Sequence, residues 1–362
     1  MGTAERKMDH IIIALSENVE AGDTLFREVN LIHSSLPEMS LSEIDVSTEF
    51  LRKKLKAPLM ITGITGGHPV AGELNRSMAK VAEEFGIAIG VGSQRAALER
   101  SDLVWTYKVV REEAKSVPVI ANIGAQQLSE RPKEIAERAV EMLEADALAI
   151  HLNPAQEVFQ KEGDTDLRGL IRKISTVIES LDVPVIVKET GSGMSIETVK
   201  ALWNAGVRIV DVSGAGGTNW LKVEVLRRKK KGESLNIPGL EDMVSWGIPT
   251  AISIIEARSV SDEIFIIASG GVRSGLDVAR AIAIGANMAG FALPALRAVS
   301  ASEESLRKLI TGYIDLLRKV MFLIGARTLE DLKKAPVVFG PTISSWMFQR
   351  GIPLPRNVEK KS

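Results

Sequence analysis

Eight short apolar runs punctuate the chain, at residues 58–62, 87–91, 118–122, 146–151, 184–189, 208–213, 263–269 and 287–292. Most are rich in β-branched residues and lack a polar face, the pattern of strands covered on both sides. The segments between them carry apolar residues at helical spacing. Leu74, Met78, Val81, Ala82 and Phe85 do so in 72–85; Ile135, Ala139 and Met142 do so in 132–143, which opens on Pro132. Residues 167–181 and 195–203 follow the same pattern. Strand–helix units in series require a parallel sheet. The simplest closure is a TIM (β/α)8 barrel in the α/β class, with a doubly wound open sheet as the alternative that strand count alone leaves open. A length of 362 residues suits one such barrel.

Residues 1–57 have no clear strand period and are expected to pack on or cap a barrel formed by 58–362. One connection is long: residues 214–262, between the sixth and seventh strands, include Arg227-Arg228-Lys229-Lys230-Lys231-Gly232-Glu233. Long loops of this kind act as lids or stay mobile, and a charge run usually marks a solvated tip. Residues 248–257 supply the sixth helix.

Composition removes several chemistries. There is no cysteine, hence no disulfide, thiolate nucleophile, iron–sulfur cluster or Cys-bound zinc. The four histidines, His10, His33, His68 and His151, share no helical metal spacing, so an HExxH zinc site is out. A metal here is expected to be a hard cation on oxygen ligands. Lys plus Arg is 45 against 46 Asp plus Glu, and aromatics are 4%, which argues against nucleic-acid or polybasic membrane binding. No apolar run approaches the roughly 18 residues of a membrane span, and the run 11–15 falls short of a signal peptide's apolar core of about 7–15 residues. A cytoplasmic protein is expected.

The informative polar residues fall at the ends of the expected strands, where barrel enzymes build their sites. Asn122, His151, Lys188 and Ser213 stand there, with the glycine groups 63–67, 214–217 and 270–271 and Gly290. Ser269-Gly270-Gly271-Val272-Arg273-Ser274-Gly275 after the seventh strand and Gly290-Phe291-Ala292-Leu293 after the eighth fit a phosphate site built from backbone N–H groups and a helix N-terminus; the bland alternative is two tight turns. Lys188 ends an apolar strand, where an unpaired cation is costly. It either faces a bound anion, such as the N1–C2=O edge of a reduced flavin, or pairs with Glu189 or another carboxylate. His151-Leu152-Asn153-Pro154-Ala155-Gln156-Glu157 puts four polar side chains on one loop, as a polar turn or as part of a site. Arg6, Lys7 and His10 are either solvated terminal charges or a clamp for a diphosphate.

Taken together these pieces resemble the type 2 isopentenyl diphosphate isomerases, FMN-dependent barrel enzymes. The resemblance runs nearly the whole chain: Arg6-Lys7-Met8-Asp9-His10, Thr62-Gly63-Ile64-Thr65-Gly66-Gly67, Gly92-Ser93-Gln94-Arg95, Asn122-Ile123-Gly124, the HxNxxQE loop 151–157, Lys188-Glu189-Thr190-Gly191, Ser213-Gly214-Ala215-Gly216-Gly217-Thr218-Asn219-Trp220, and the loop 269–275. The HxNxxQE and SGxGGTxW loops are its specific parts, while SGGxR is shared by many flavin and phosphate barrels. It implies interconversion of isopentenyl and dimethylallyl diphosphate by a 1,3-allylic proton shift, with reduced FMN as acid–base cofactor, NAD(P)H as reductant and Mg²⁺ as metal.

By the same resemblance, Thr62, Gly63, Thr65, Ser93, Asn122, Lys188, Ser213 and Thr218 are expected FMN contacts, with Gly271, Arg273, Ala292 and Leu293 at its phosphate end. Arg6, Lys7, His10, Arg95, His151 and Asn153 are expected to touch substrate, Glu157 to bind the metal, Gln156 to lie at the reacting carbons, and Trp220 to wall the prenyl tail. A homo-oligomer, tetramer or octamer, is also implied. The closest rival is an FMN-dependent oxidoreductase of the same barrel class. A 2-hydroxy acid oxidase needs a late histidine, and none follows His151; an inosine monophosphate dehydrogenase needs a cysteine.

Overall fold

In a computed structural model, described for residues 3–128, 131–160, 163–233 and 237–353, the eight runs become β1 (Leu59–Ile61), β2 (Ala88–Gly90), β3 (Val119–Gly124), β4 (Ala147–His151), β5 (Val185–Lys188), β6 (Ile209–Asp211), β7 (Phe265–Ala268) and β8 (Met288–Phe291). They pair in parallel, in chain order, and β8 closes on β1. The open-sheet alternative is thereby set aside. Closure follows from the alternation along each strand. Leu59, Ile61, Ile89, Leu148, Val187, Val210 and Ile266 point out to the helices, whereas Met60, Ile120, Ala149, Ile186, Ile267 and Met288 fill the barrel. Burying each large aliphatic side chain contributes about 1.5–3 kcal/mol.

The helices fall close to where the spacing puts them, at Pro69–Phe85, Pro132–Leu143, Leu170–Ser180, Ile196–Asn204 and Thr250–Arg258. Among the described residues, none is long and apolar enough to cross a membrane.

Residues before 58 do two jobs. A hairpin, Thr48–Phe50 against Lys53–Leu55, places Phe50 and Leu55 under the barrel, where Phe50 stacks on Phe265 at 4.9 Å. The helix Thr3–Ser16 lies at the other end, with Ile13 and Ala14 packed on Val223, Leu293 and Leu296. Val29–Leu31 pairs with Val337–Phe339. These strands of three residues are too short to show a period, which is why none was expected. Residues 1, 2 and 354–362 of the proposed division lie outside the described residues.

The basic run is a solvated tip only in part: Lys229, Lys230, Lys231 and Gly232 are exposed, whereas Arg227 is buried. It ends the helix Trp220–Lys230, and Arg227, Arg228, Lys230 and Lys231 have carboxylate partners. Arg227 meets the fully buried Glu224 through two 2.8 Å bonds, and Arg228 reaches Glu233 at 3.1 Å. Lys230 pairs with Glu17 at 3.0 Å and Lys231 with Asp9 at 3.2 Å, so the run fastens the N-terminal helix over the barrel mouth. The long connection therefore carries helices, Leu240–Val244 and Thr250–Arg258 included.

Candidate active site

Two residues beyond each interior side chain, the same alternation produces a ring of inward-facing groups at the strand ends: Thr62, Asn122, His151, Lys188, Asp211, Ser269 and Gly290. The apolar core thus turns polar within one layer. Above it opens a cavity of about 1190 Å³, mouth included. Every site residue expected from the sequence lines this cavity except Thr65. Thr65 is buried, its carbonyl accepts the Gly92 N–H at 2.8 Å, and its hydroxyl has no partner.

One side of the cavity is built of glycine. Gly270 and Gly271 have φ of +95° and +79°. A Cβ on Gly271 would stand 2.4 Å from the Gly216 carbonyl oxygen, and one on Gly217 would stand 2.4 Å from the Gly271 nitrogen. The loops after β6 and β7 therefore interlock backbone to backbone, and Gly270 and Gly271 stand at the cavity wall with no side chain to fill it. Ser213, at φ +36°, makes the turn out of β6. The helix Leu293–Ala301 begins at the cavity wall, where its N-terminus favours an anion. Arg273 lies beside it, with one arm on the Val272 carbonyl at 2.8 Å and the other on the Glu20 carboxylate.

Cations from the N-terminal helix gather over the mouth. Arg6, Lys7 and His10 share a helical face, and Lys7 Nζ donates to the Ser93 carbonyl at 3.2 Å. Burial, followed by Arg6 and Arg95, lowers Lys7 to about 8. Burial, followed by Lys7, Arg6, Arg227 and Lys231, holds His10 well below its usual value. His10 stands edge-on to Trp220 at 5.2 Å, and its buried Nε2 has no partner. Positive groups crowded in this way call for an anion.

The far wall comes from β3 and β4. Asn122 Nδ2 donates to the Val91 carbonyl at 2.9 Å, which leaves Asn122 Oδ1 as the acceptor facing His151 Nδ1 at 2.8 Å. That pairing puts the His151 proton on Nδ1. Burial, then Lys188 and Lys7, pushes His151 down to about 3, so the ring is neutral. On the next turn, Gln126 Nε2 donates to Asn153 Oδ1 at 2.6 Å. Asn153 Nδ2 in turn reaches Gln156 Oε1 at 3.3 Å and Glu157 Oε1 at 3.0 Å. Gln156 Nε2 donates to Gln160 Oε1 at 3.2 Å, and Glu157 Oε2 accepts the Asp164 N–H at 2.8 Å. Both Glu157 oxygens thus accept from neutral donors, which keeps the carboxylate charge available to a cation. Among the described residues, no group of three or more His, Asp or Glu side chains is placed to hold a metal, so an ion here would draw further oxygens from its ligand.

Lys188 decides between its two readings in part: its Nζ donates to the Glu189 carbonyl at 2.7 Å and lies 3.9 Å from Asp211, while it still lines the cavity. Sequence reasoning missed Asp211, Gln126, Gln127 and Gln160. Strand alternation from Ile209 marks Asp211 as inward; no local signal marks the glutamines.

The donor set fits a flavin mononucleotide: interlocked glycines and a helix N-terminus suit a phosphate, and Lys188 and Asn122 line the same cavity. Residues 102–338 match the family model described as FMN-dependent dehydrogenase. Solved structures with the same fold include a lactate oxidase of Pediococcus acidilactici (TM-score 0.68, 16% identity, 93% of each chain) and a mandelate oxidase (TM-score 0.64, 15% identity, 93% of this chain and 98% of that one). Much nearer in sequence are curated proteins named isopentenyl-diphosphate delta-isomerase. That of Ignicoccus hospitalis is 45% identical over 97% of this chain and 98% of its own, and that of Pyrobaculum islandicum 48% over 97% and 99%. The relative from Sulfurisphaera tokodaii is 47% identical over 96% and 95%. The protein therefore belongs to the isopentenyl-diphosphate delta-isomerase family, within the broader family of FMN-dependent barrel enzymes.

Proposed function

We propose that this protein interconverts isopentenyl and dimethylallyl diphosphate by a 1,3-allylic proton shift. The observation that carries the reading is one cavity with two anion-seeking regions: the Gly271–Arg273 loop with the Leu293 helix, and the Arg6–Lys7–His10 cluster with Arg95. A flavin phosphate fits the first and a substrate diphosphate the second.

In this reading Thr62, Gly63, Ser93, Asn122, Lys188, Ser213 and Thr218 surround the flavin, and Gly271, Arg273, Ala292 and Leu293 take its phosphate. Bound and reduced by NAD(P)H, FMN supplies acid–base chemistry beside the substrate carbons. Arg6, Lys7, His10 and Arg95 hold the diphosphate, with Asn153 and neutral His151 on the wall nearest it. Glu157 would hold a Mg²⁺, which would supply positive charge beside the diphosphate. Gln156, oriented by Asn153 and Gln160, lies at the reacting carbons and fixes where protons arrive and leave. Trp220 walls the tail and excludes water from a cation-like intermediate. The double bond moves with no net redox change, so no electron acceptor is required. Division of the chain at 57/58, a cytoplasmic location and a tetramer or octamer complete the reading.

The test gives the FMN-loaded, dithionite-reduced protein isopentenyl diphosphate and Mg²⁺ under anaerobic conditions, and gives the oxidised protein lactate or mandelate. Isomerisation in the first arm supports the reading. Flavin reduction by a 2-hydroxy acid, with no isomerisation, supports the oxidoreductase instead.

A further inference from the structure

Neighbouring strands carry Gly124, His151, Lys188 and Asp211 in direct register, one on each of β3 to β6. His151 and Lys188 line the cavity. Asp211 is 2% exposed and borders a smaller void bounded by Met60, Ile120, Ile186 and Ile267 and shared with Lys188. A carboxylate in such surroundings is costly unless it is used. Its Oδ1 accepts the Ser269 hydroxyl at 2.5 Å, and its Oδ2 lies 3.9 Å from Lys188 Nζ. The nearer acid in sequence, Glu189, is turned aside: its Oε2 accepts the N–H groups of Thr190, Gly191 and Ser192 at 2.5–2.7 Å.

We propose that Asp211 is a positioning residue for the flavin chemistry: the buried counter-charge that sets where the Lys188 ammonium stands and how much of its charge reaches the cofactor. This rests on the reading that Lys188 faces the flavin. At 3.9 Å the pair is too long for a hydrogen bond, so the ammonium is balanced without being captured. One of its protons goes to the Glu189 carbonyl at 2.7 Å, and the others are left for the cavity that Lys188 lines. Ser269, held on the other carboxylate oxygen, keeps Asp211 at that remove. The groups facing Lys188 are Asp211, the Glu189 carbonyl and carboxylate, and the His151 ring, which is neutral. Burial raises Asp211, and Lys188 is the largest influence opposing that rise. Burial also pushes Glu189 up to about 7, against its amide donors.

The test is the midpoint potential of the FMN-loaded protein as a function of pH, in wild type, Asp211→Asn, Ser269→Ala, Lys188→Met and the Lys188→Met/Asp211→Asn double variant. Asp211→Asn unbalances the ammonium and favours the anionic reduced flavin. The oxidised–reduced equilibrium is expected to move about tenfold toward reduced, about 30 mV for a two-electron couple. Ser269→Ala frees the carboxylate to close on Lys188 and is expected to shift the potential the opposite way, which keeps the test alive if Asp211→Asn does not fold. In the Lys188→Met background the Asp211 effect should largely vanish. Unchanged potentials in Asp211→Asn and Ser269→Ala, or an Asp211 effect of full size without Lys188, overturn the proposal. If Lys188→Met alone leaves both potential and FMN affinity unaltered, it is the underlying Lys188 reading that fails.

Discussion

Lys7 and Gln156 show how single side chains carry the account. Lys7 is lowered to about 8 by burial and by the cations around it. A bound diphosphate supplies the missing negative charge and raises it again. Proton and ligand therefore bind together: affinity is full below pH 8 and falls as pH rises through it, by up to about tenfold per pH unit. Isopentenyl diphosphate titrated into the oxidised protein from pH 7 to 10 should show this fall, and Lys7→Arg should remove it while leaving the ligand's own ionisation in place. Gln156 answers to a different readout. Gln156→Asn withdraws the amide by one methylene, and a shift of about 1 Å can cost about a hundredfold in rate. The expected signature is a lower kcat at nearly constant KM, with FMN binding retained. A wild-type kcat in this variant removes Gln156 from the chemistry.

At the scale of elements, the strands and the sixth helix at the end of the insertion were legible, and the insertion's first helix was not. Each strand is covered on both faces, so its sequence is a plain apolar run, easy to locate but silent about which side faces in. That silence hid Asp211 and Ser269, whose inward direction emerges only once Ile209 and Ile267 are known to fill the barrel. The helix Trp220–Lys230 escaped for the opposite reason. Its buried face carries Glu224 and Arg227, a pair that cancels the apolar periodicity by which helices are read. The interlocked loops permit a sharper test. Gly271→Ala puts a methyl group at a φ of +79° and against the Gly216 carbonyl. A cost of about 1–3 kcal/mol is expected in denaturant unfolding, with FMN affinity reduced. Ordinary affinity and stability would mean that the two loops do not need to touch.

For the whole molecule, the barrel explains why residues from positions 6 to 293 meet in one cavity: parallel strands in chain order bring every strand end to one rim. Motifs scattered along the sequence therefore become one site as soon as the sheet closes. The glutamines Gln126, Gln127 and Gln160 were illegible because their place depends on loop paths that no local pattern encodes. The same barrel serves lactate and mandelate oxidases, so the fold does not select the reaction; in the proposed reading the cation cluster and the Gln156–Glu157 loop do. The most direct measurement is isomerisation in D₂O under anaerobic conditions with the flavin pre-reduced, followed by NMR of the product and the flavin absorbance together. Deuterium in the new methyl group of dimethylallyl diphosphate and, on return, at C2 of isopentenyl diphosphate, with the flavin still reduced after many turnovers, is the result this account predicts. Product free of deuterium, or flavin oxidised in step with turnover, would contradict it.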